Sequence, residues 1–351
     1  MAQVLLASAT SRDDQTDYNL APLQALRESA TRDRFQRHTV VENPFTADLI
    51  IFAEYYGGGF HFERLRAHPL VRQHRHKCFL FCSNAIVIPF LPGIYASLAR
   101  RWSSSRTCGG FYLGLPKNEF TTFTSPDEDM PYLFSFMGST TNAPVRRHLA
   151  QLAHPRGFFQ NTSDDFERLL HLEMSQRDRR DYYRRYAELT KASKFVLCPR
   201  GVGAATIRLF ETMRMGRVPV ILSDEWVPPE GPTWEKFSVR VAEKDHGQIP
   251  RLLEEREYMA VPMGQLARRQ WEEWFSPEVA FHRVVEDCLA IKERRRVPEA
   301  LARWPVYLQL ARPFHFRRLL RRKFEELRGR IRTREELPAD LAILRGVKSS
   351  E

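Results

Sequence analysis

Several features that would place a chain quickly are missing here. No apolar run reaches the length of a membrane span, because the best candidate, FLFCSNAIVIPFLPGIY, carries Ser83, Asn84 and two prolines. The opening residues, MAQVLLASATSRDD, lack the basic start and long apolar core of a signal peptide, and read as a first strand followed by a polar loop. Cysteine is sparse: Cys78, Cys82, Cys108, Cys198 and Cys288 form an odd set with no paired spacing. That argues for reduced thiols and a cytosolic setting. Internal repeats and low-complexity segments are absent too.

What is present is 351 residues of ordinary globular composition, 43% hydrophobic and 28% charged. That length exceeds a comfortable single core and implies two domains. The formal charge of +11 implies an anionic partner: nucleotide, membrane surface, acidic glycan or nucleic acid. Charge alone does not choose among them.

Along the chain, QVLLAS, ADLIIFAE and KCFLFCS read as strands, with helices expected at APLQALRESATRDRF and FERLRAHPLVRQH. Such alternation argues for parallel strands joined by crossover helices. The polar stretch TTFTSPDEDMP marks a boundary. A second βα series follows with YLFSFMGS, VRRHLAQLAH, GFFQN and the helix around RRDYYRRYAELTKAS. At the end, Phe316, Leu319, Leu320, Phe324, Leu327 and Ile331 make an apolar stripe at helical spacing, with arginines on the other faces. Such a helix suits docking on the body, and it also suits an anionic membrane surface.

The most informative stretch is FVLCPRGVGAATIRLFETMRMGRVPVILSDEW, residues 195–226. It reads as strand, glycine turn, helix and strand, with Gly216 in the left-handed position that closes a helix. A helix N-terminus above strand ends is suited to an anion. Arg200 stands in the turn beside Gly201, and Arg208 and Glu211 share one helix face. Guanidinium suits a phosphate, and a carboxylate one turn further on suits the vicinal hydroxyls of a ribose. No Gly-Lys-Ser/Thr follows, so this is not a Walker loop. Gly201-x-Gly203 with Asp224 about 20 residues on is a partial dinucleotide fingerprint, but its third glycine position holds Thr206.

LCPRGVG, RLFE, GRVPVILSDEW and WEKFSVRV, with FSFMGSTTNAPVRRHL upstream, resemble the exostosin glycosyltransferases, family 47 of the sequence-based classification. The resemblance covers about residues 130–245. It implies an α/β fold of GT-B type, two Rossmann-like domains facing each other across a cleft. It places the acceptor in residues 1–128 and the donor nucleotide in 129–295, and the apolar stripe adds a helical basic tail in 296–351. It further implies inversion, a nucleotide-sugar donor (UDP-linked), a glycan or lipid-linked acceptor and no obligatory metal or other cofactor. On this reading Arg200 and Arg208 meet the diphosphate, beside Gly201, and Glu211 meets the ribose. Ser139 and Arg146 (or Arg147) belong to the facing loop, and Asp224 and Trp226 lie near the sugar. Animal and plant members usually carry an N-terminal anchor, so this chain is expected to be a bacterial, cytoplasmic member, at most peripheral to a membrane.

Inversion needs a base for the acceptor proton. Glu54, closing DLIIFAE before the aromatic loop YYGGGF, is the best placed, with Asp13, Asp14 and Asp17 as alternatives. Asp127–Asp129 spell an acidic triplet but read as a solvated loop, and His74, His76, Cys78 and Cys82 lack zinc-knuckle spacing. Two other functions remain open: an NAD(P)-binding oxidoreductase, and a non-enzymatic protein gripping a polyanion. Nucleic acid is not expected as a partner, because the arginines lack interleaved stacking aromatics.

Overall fold

Runs such as Leu49–Phe52 and Cys78–Cys82 have no polar face to give to water, so they fold as strands covered on both sides. In the computed structural model, residues 1–10, 17–55, 62–114, 118–125, 130–170, 173–302 and 304–308 are described, together with positions 316, 317, 320 and 324. The first six strands are β1 (Gln3–Ala7), β2 (Thr39–Val40), β3 (Leu49–Glu54), β4 (Cys78–Cys82), β5 (Gly93–Tyr95) and β6 (Thr107–Gly109). They form one parallel sheet in the order β2-β1-β3-β4-β5-β6. Its connections include helices α1 (Asp17–Thr31), α2 (Glu63–Ala67) and α3 (Pro69–Gln73). The single helix expected over 62–74 is thus split. His68, preceding Pro69, is pushed to an extended ψ of 133°.

The second sheet is built from β7 (Tyr132–Gly138), β8 (Gly157–Asn161), β9 (Ser193–Pro199), β10 (Val218–Leu222) and β11 (Val239–Arg240). All pairs are parallel, in the order β11-β10-β9-β7-β8. Helices α4 (Pro144–Leu149), α5 (Ser163–Leu170), α6 (Gln176–Lys191) and α7 (Ile207–Arg214) interleave with these strands. Then come α8 (Trp234–Phe237), α9 (Ile249–Glu254), α10 (Ala260–Trp274), α11 (Pro277–Arg294), α12 (Glu299–Ala302) and α13 (Trp304–Leu308). The α/β class with two Rossmann-like units is therefore the class found. No helix among the described residues is long and apolar enough to cross a membrane.

The units meet along a hydrogen-bonded seam. The segment after β5 runs antiparallel to the segment after β10, with a bridge between Ala99 and Trp226. Arg100 N donates to Glu225 O at 2.8 Å, and Val227 N to Leu98 O at 2.9 Å. Trp226 is only 2% exposed, and its indole N–H donates to Ala96 O at 3.2 Å. One apolar cluster runs through this seam, from Phe81, Ile94 and Phe111 to Phe210, Trp226 and Phe275.

Helix α11 follows the second unit in sequence yet packs on α1 of the first. Phe281 N donates to Ser29 Oγ at 2.8 Å, and Arg34 N to Glu278 O at 3.0 Å. Beyond it, Arg106 and Glu299 form a buried ion pair that pins α12 to the first unit. Of the amphipathic stripe, Leu319, Leu327 and Ile331 lie outside the described residues, and Phe316, Leu320 and Phe324 are exposed.

Candidate functional site

The ladder between β9 and β10 continues one residue past the strand, where Arg200 N donates to Leu222 O at 2.9 Å. The loop that follows presses on the first unit. A Cβ on Gly203 would overlap Ala85 O and Ser97 Oγ, and Ala205 N donates to that same Ser97 Oγ at 3.0 Å. Gly203 thus serves a close approach between units. A Cβ on Gly201, by contrast, would meet only Arg146 Nη2, at 3.5 Å. Helix α7 starts only at Ile207, with Thr206 extended at its N-cap. It closes at Gly216, whose φ of 73° is the left-handed conformation expected there.

Three arginines converge at the ends of β7 and β9, but in different states. Arg146 is buried and braces backbone: Nε donates to Arg200 O at 2.8 Å, Nη1 to Ser139 O at 3.1 Å and Nη2 to Pro199 O at 3.4 Å. Burial, and then the charge of Arg208, pull its pKa down to about 9. Arg200 is held in an ion pair, Nε to Glu243 Oε1 at 2.8 Å. Arg208 lies 4.4 Å over the Phe136 ring and donates from Nη2 to Met137 O. Among the described residues, its Nε and Nη1 are buried without a hydrogen-bond partner. Gly138 makes room for it, since a Cβ there would stand 2.7 Å from Arg208 Nη2.

Glu211 takes Tyr186 as its partner. The Tyr186 hydroxyl donates to Glu211 Oε2 at 2.7 Å. Burial raises the carboxyl of Glu211, against the opposing pull of that hydrogen bond and of Arg208. Asp224 is exposed and linked to Arg200 through Glu243: Glu243 N donates to Asp224 Oδ1 at 3.2 Å, and Asp224 N to Glu243 Oε1 at 3.4 Å. Ser139 belongs to a hydroxyl cluster, with Thr141 Oγ1 at 2.9 Å and Ser163 Oγ at 3.3 Å. Sequence reasoning missed Glu243, Tyr186 and Ser163; none carries a local motif. Trp226 sits apart from this group, sealed in the seam with no face toward a ligand.

Glu54 ends β3 in the other sheet and is fully buried. It accepts from Ala9 N at 2.5 Å, from Ser8 Oγ at 3.3 Å and from Thr10 Oγ1 at 3.5 Å. These bonds stay within the first unit. Residues 11–16, 56–61 and 126–129, which hold Asp13, Asp14, most of the aromatic loop and the acidic triplet, lie outside the described residues. Of Asp17, only its place at the start of α1 is described. Cys78 and Cys82 are core residues as read, and burial pushes the Cys78 thiol up to about 12.

Residues 116–256, which hold Arg146, Arg200 and Arg208 together with Glu211 and Glu243, match the exostosin GT47 domain. The resemblance read from LCPRGVG, RLFE and GRVPVILSDEW therefore holds over that segment. An exostosin-1 homolog of Caenorhabditis elegans is 44% identical over 81 residues, 22% of this chain and 21% of that protein. A probable glycosyltransferase of Arabidopsis thaliana is 39% identical over 70 residues, 19% of this chain and 15% of that protein. The chain thus spans about a fifth or less of the length of these curated relatives. Among solved structures, a glycosyltransferase from Rickettsia africae aligns over 82% of this chain and 98% of its own, at 8% identity and a TM-score of 0.42. A likeness that loose carries no argument about the site.

Proposed function

We propose that this chain is an inverting glycosyltransferase of GT-B type that moves a sugar from a nucleoside diphosphate donor, UDP-linked, to a glycan or lipid-linked acceptor. One observation carries this reading: Arg208 keeps two buried nitrogens unpartnered at the carboxyl end of a parallel sheet, where ligands of such sheets bind. An unmet buried donor costs about 1–3 kcal/mol, more when charged. An anion removes that cost.

In this reading the acceptor hydroxyl attacks the anomeric carbon from the face opposite the diphosphate. The bond from that carbon to the phosphate oxygen breaks, and its electrons leave with the diphosphate. Arg208 and Arg200 take up the growing negative charge, which needs no metal in the diphosphate site. Glu211, oriented by Tyr186, accepts from the ribose hydroxyls. Arg146 holds the carbonyls that shape the loop, with Gly201 and Ser139 lining it and Asp224 toward the sugar. Trp226 holds the seam. The acceptor proton passes to a base of the first unit, a role for which Glu54 must first give up its bonds from the end of β1. The first unit takes the acceptor and the second the donor. The protein works in the cytoplasm, at most peripheral to the inner face of a membrane. Against a dinucleotide oxidoreductase stands the long loop between β9 and α7, with Thr206 in place of the third glycine.

Calorimetric titration of UDP, with and without chelator, tests the reading. Micromolar binding, unchanged by chelator and lost in Arg208→Ala, is expected. Equal binding by parent and Arg208→Ala refutes the assignment, and a tenfold loss on adding chelator refutes metal independence.

A further inference from the structure

Away from this site, α11 carries His282 and Glu286 four residues apart, so both project from one helix face. His38, immediately before β2, faces them. One nitrogen from each ring and one oxygen of Glu286 all lie within 4.8 Å of one another. We propose that His38, His282 and Glu286 bind a divalent ion of the zinc class, clamping α11 onto the first unit.

The geometry is close to what such an ion needs. Ligands of a tetrahedral zinc at roughly 2.0–2.2 Å stand about 3.3 Å apart. His38 Nε2 and Glu286 Oε1 are already 3.0 Å apart. His282 closes the remaining gap by a shift of at most about 1.5 Å, judged against that spacing. The two histidines are 9% and 5% exposed, and Nδ1 of each is buried with no partner among the described residues. An ion held by His38 Nε2 does not reach His38 Nδ1, so of the two unmet atoms only His282 Nδ1 counts toward a ligand.

Two imidazoles and a carboxylate suit zinc, copper or nickel rather than magnesium or calcium, which prefer all-oxygen shells. The His282 ring stacks on Phe35, with centroids 4.0 Å apart. Asp33 adds negative charge nearby but is already engaged, accepting from Phe35 N and Gln36 N at 3.2 Å each. Arg34 and Arg283 work against a cation. Glu286, its side chain 47% exposed, forms the mouth of the site. Three protein ligands leave one position for water. The site is independent of the sugar-transfer reading.

The test uses the full chain stripped with chelator and then titrated with zinc alone. One equivalent should bind saturably and raise the melting temperature, because an ion that binds only the folded state stabilises it. Cobalt substituted for zinc should show visible absorption. Glu286→Ala should weaken zinc binding at least tenfold, comparable to or beyond the loss of an outer-shell partner. His282→Gln should abolish it, while His76→Gln, on another surface, should leave it intact. No saturable uptake, or uptake equal in the parent and Glu286→Ala, overturns the proposal. Should His282→Gln fail to fold, the half-exposed Glu286 still decides it.

Discussion

The carboxyl ends of the two parallel sheets carry opposite chemistry in opposite states of completion. In the first sheet the terminal charge is Glu54, whose oxygens receive an amide and two hydroxyls from the end of β1. In the second sheet cations exceed their acceptors. Arg146 is spent on three carbonyls and Arg200 on Glu243, while Arg208 holds two nitrogens in reserve. A satisfied buried charge maintains its own surroundings. An unsatisfied one is tolerated only where something else completes it. The contrast separates arginines that look alike in a sequence into braces and receptors.

The largest effect should come from removing what holds the two ends together. Trp226→Ala deletes a sealed indole and its bond to Ala96 O, and should cost about 3–5 kcal/mol of stability, read from denaturant midpoints. A much smaller loss would mean that the seam yields and the sheet ends move freely.

Next comes the receptor itself. Arg208→Ala should weaken UDP binding by about 2–4 kcal/mol, roughly thirty- to a thousandfold. It should leave the melting temperature unchanged or higher, because a buried unmet donor disappears with it. Arg146→Ala should do the reverse, lowering stability first. Arg200→Ala should reduce turnover more than donor affinity, since Arg200 meets a charge that grows as the sugar leaves. If Arg146 and Arg208 variants behave alike, the distinction between brace and receptor fails.

A smaller effect is expected at the ribose. Glu211→Ala should weaken donor binding by about 1–2 kcal/mol, and Glu211→Gln by less, because an amide still accepts a hydrogen bond. Saturating turnover should change little in either, which steady-state kinetics resolves.

The smallest effect lies on the helix that joins the units. Burial first, and then Glu230, raise the Asp287 carboxyl to about 7. Its unfolded value is about 3.9. The native state therefore holds the extra proton between these values, and the stability this contributes is lost as pH rises toward 7. Asp287→Asn should flatten that slope; of the roughly 4 kcal/mol such a shift represents at pH 8, the cost of burying the amide leaves a gain of about 1 kcal/mol. A parent whose melting temperature is level from pH 4 to 8 would remove this contribution.

Much of the scaffold was legible because the signals are local. β1, β3, β4, β7, β9 and β10 are apolar runs of five to seven residues. Strands of two or three residues, β2, β5 and β6, fall below any periodic signal, and exist because neighbouring strands offer them a ladder. The break at His68 follows from the His-Pro pair, whose local constraint outweighs the longer helical pattern around it.

The candidate site divides along the same line. The residue types alone brought Arg200, Arg208 and Glu211 to one turn and one helix face, since spacing along a chain dictates spacing on a helix. Nothing local distinguishes Arg146, buried under carbonyls, from Arg208, left incomplete, because that depends on atoms delivered by β7, α6 and the loop after β11. Glu243, Tyr186 and the meeting of His38 with His282 and Glu286 were likewise beyond reach, the last pair being joined by α11 crossing back to the first unit. Sequence by itself determined the strands, the helix faces and the cationic turn, because these rest on neighbours a few residues apart. Which charges are spent and which remain open was decided only by tertiary packing, which brings together groups 248 residues apart, as for His38 and Glu286.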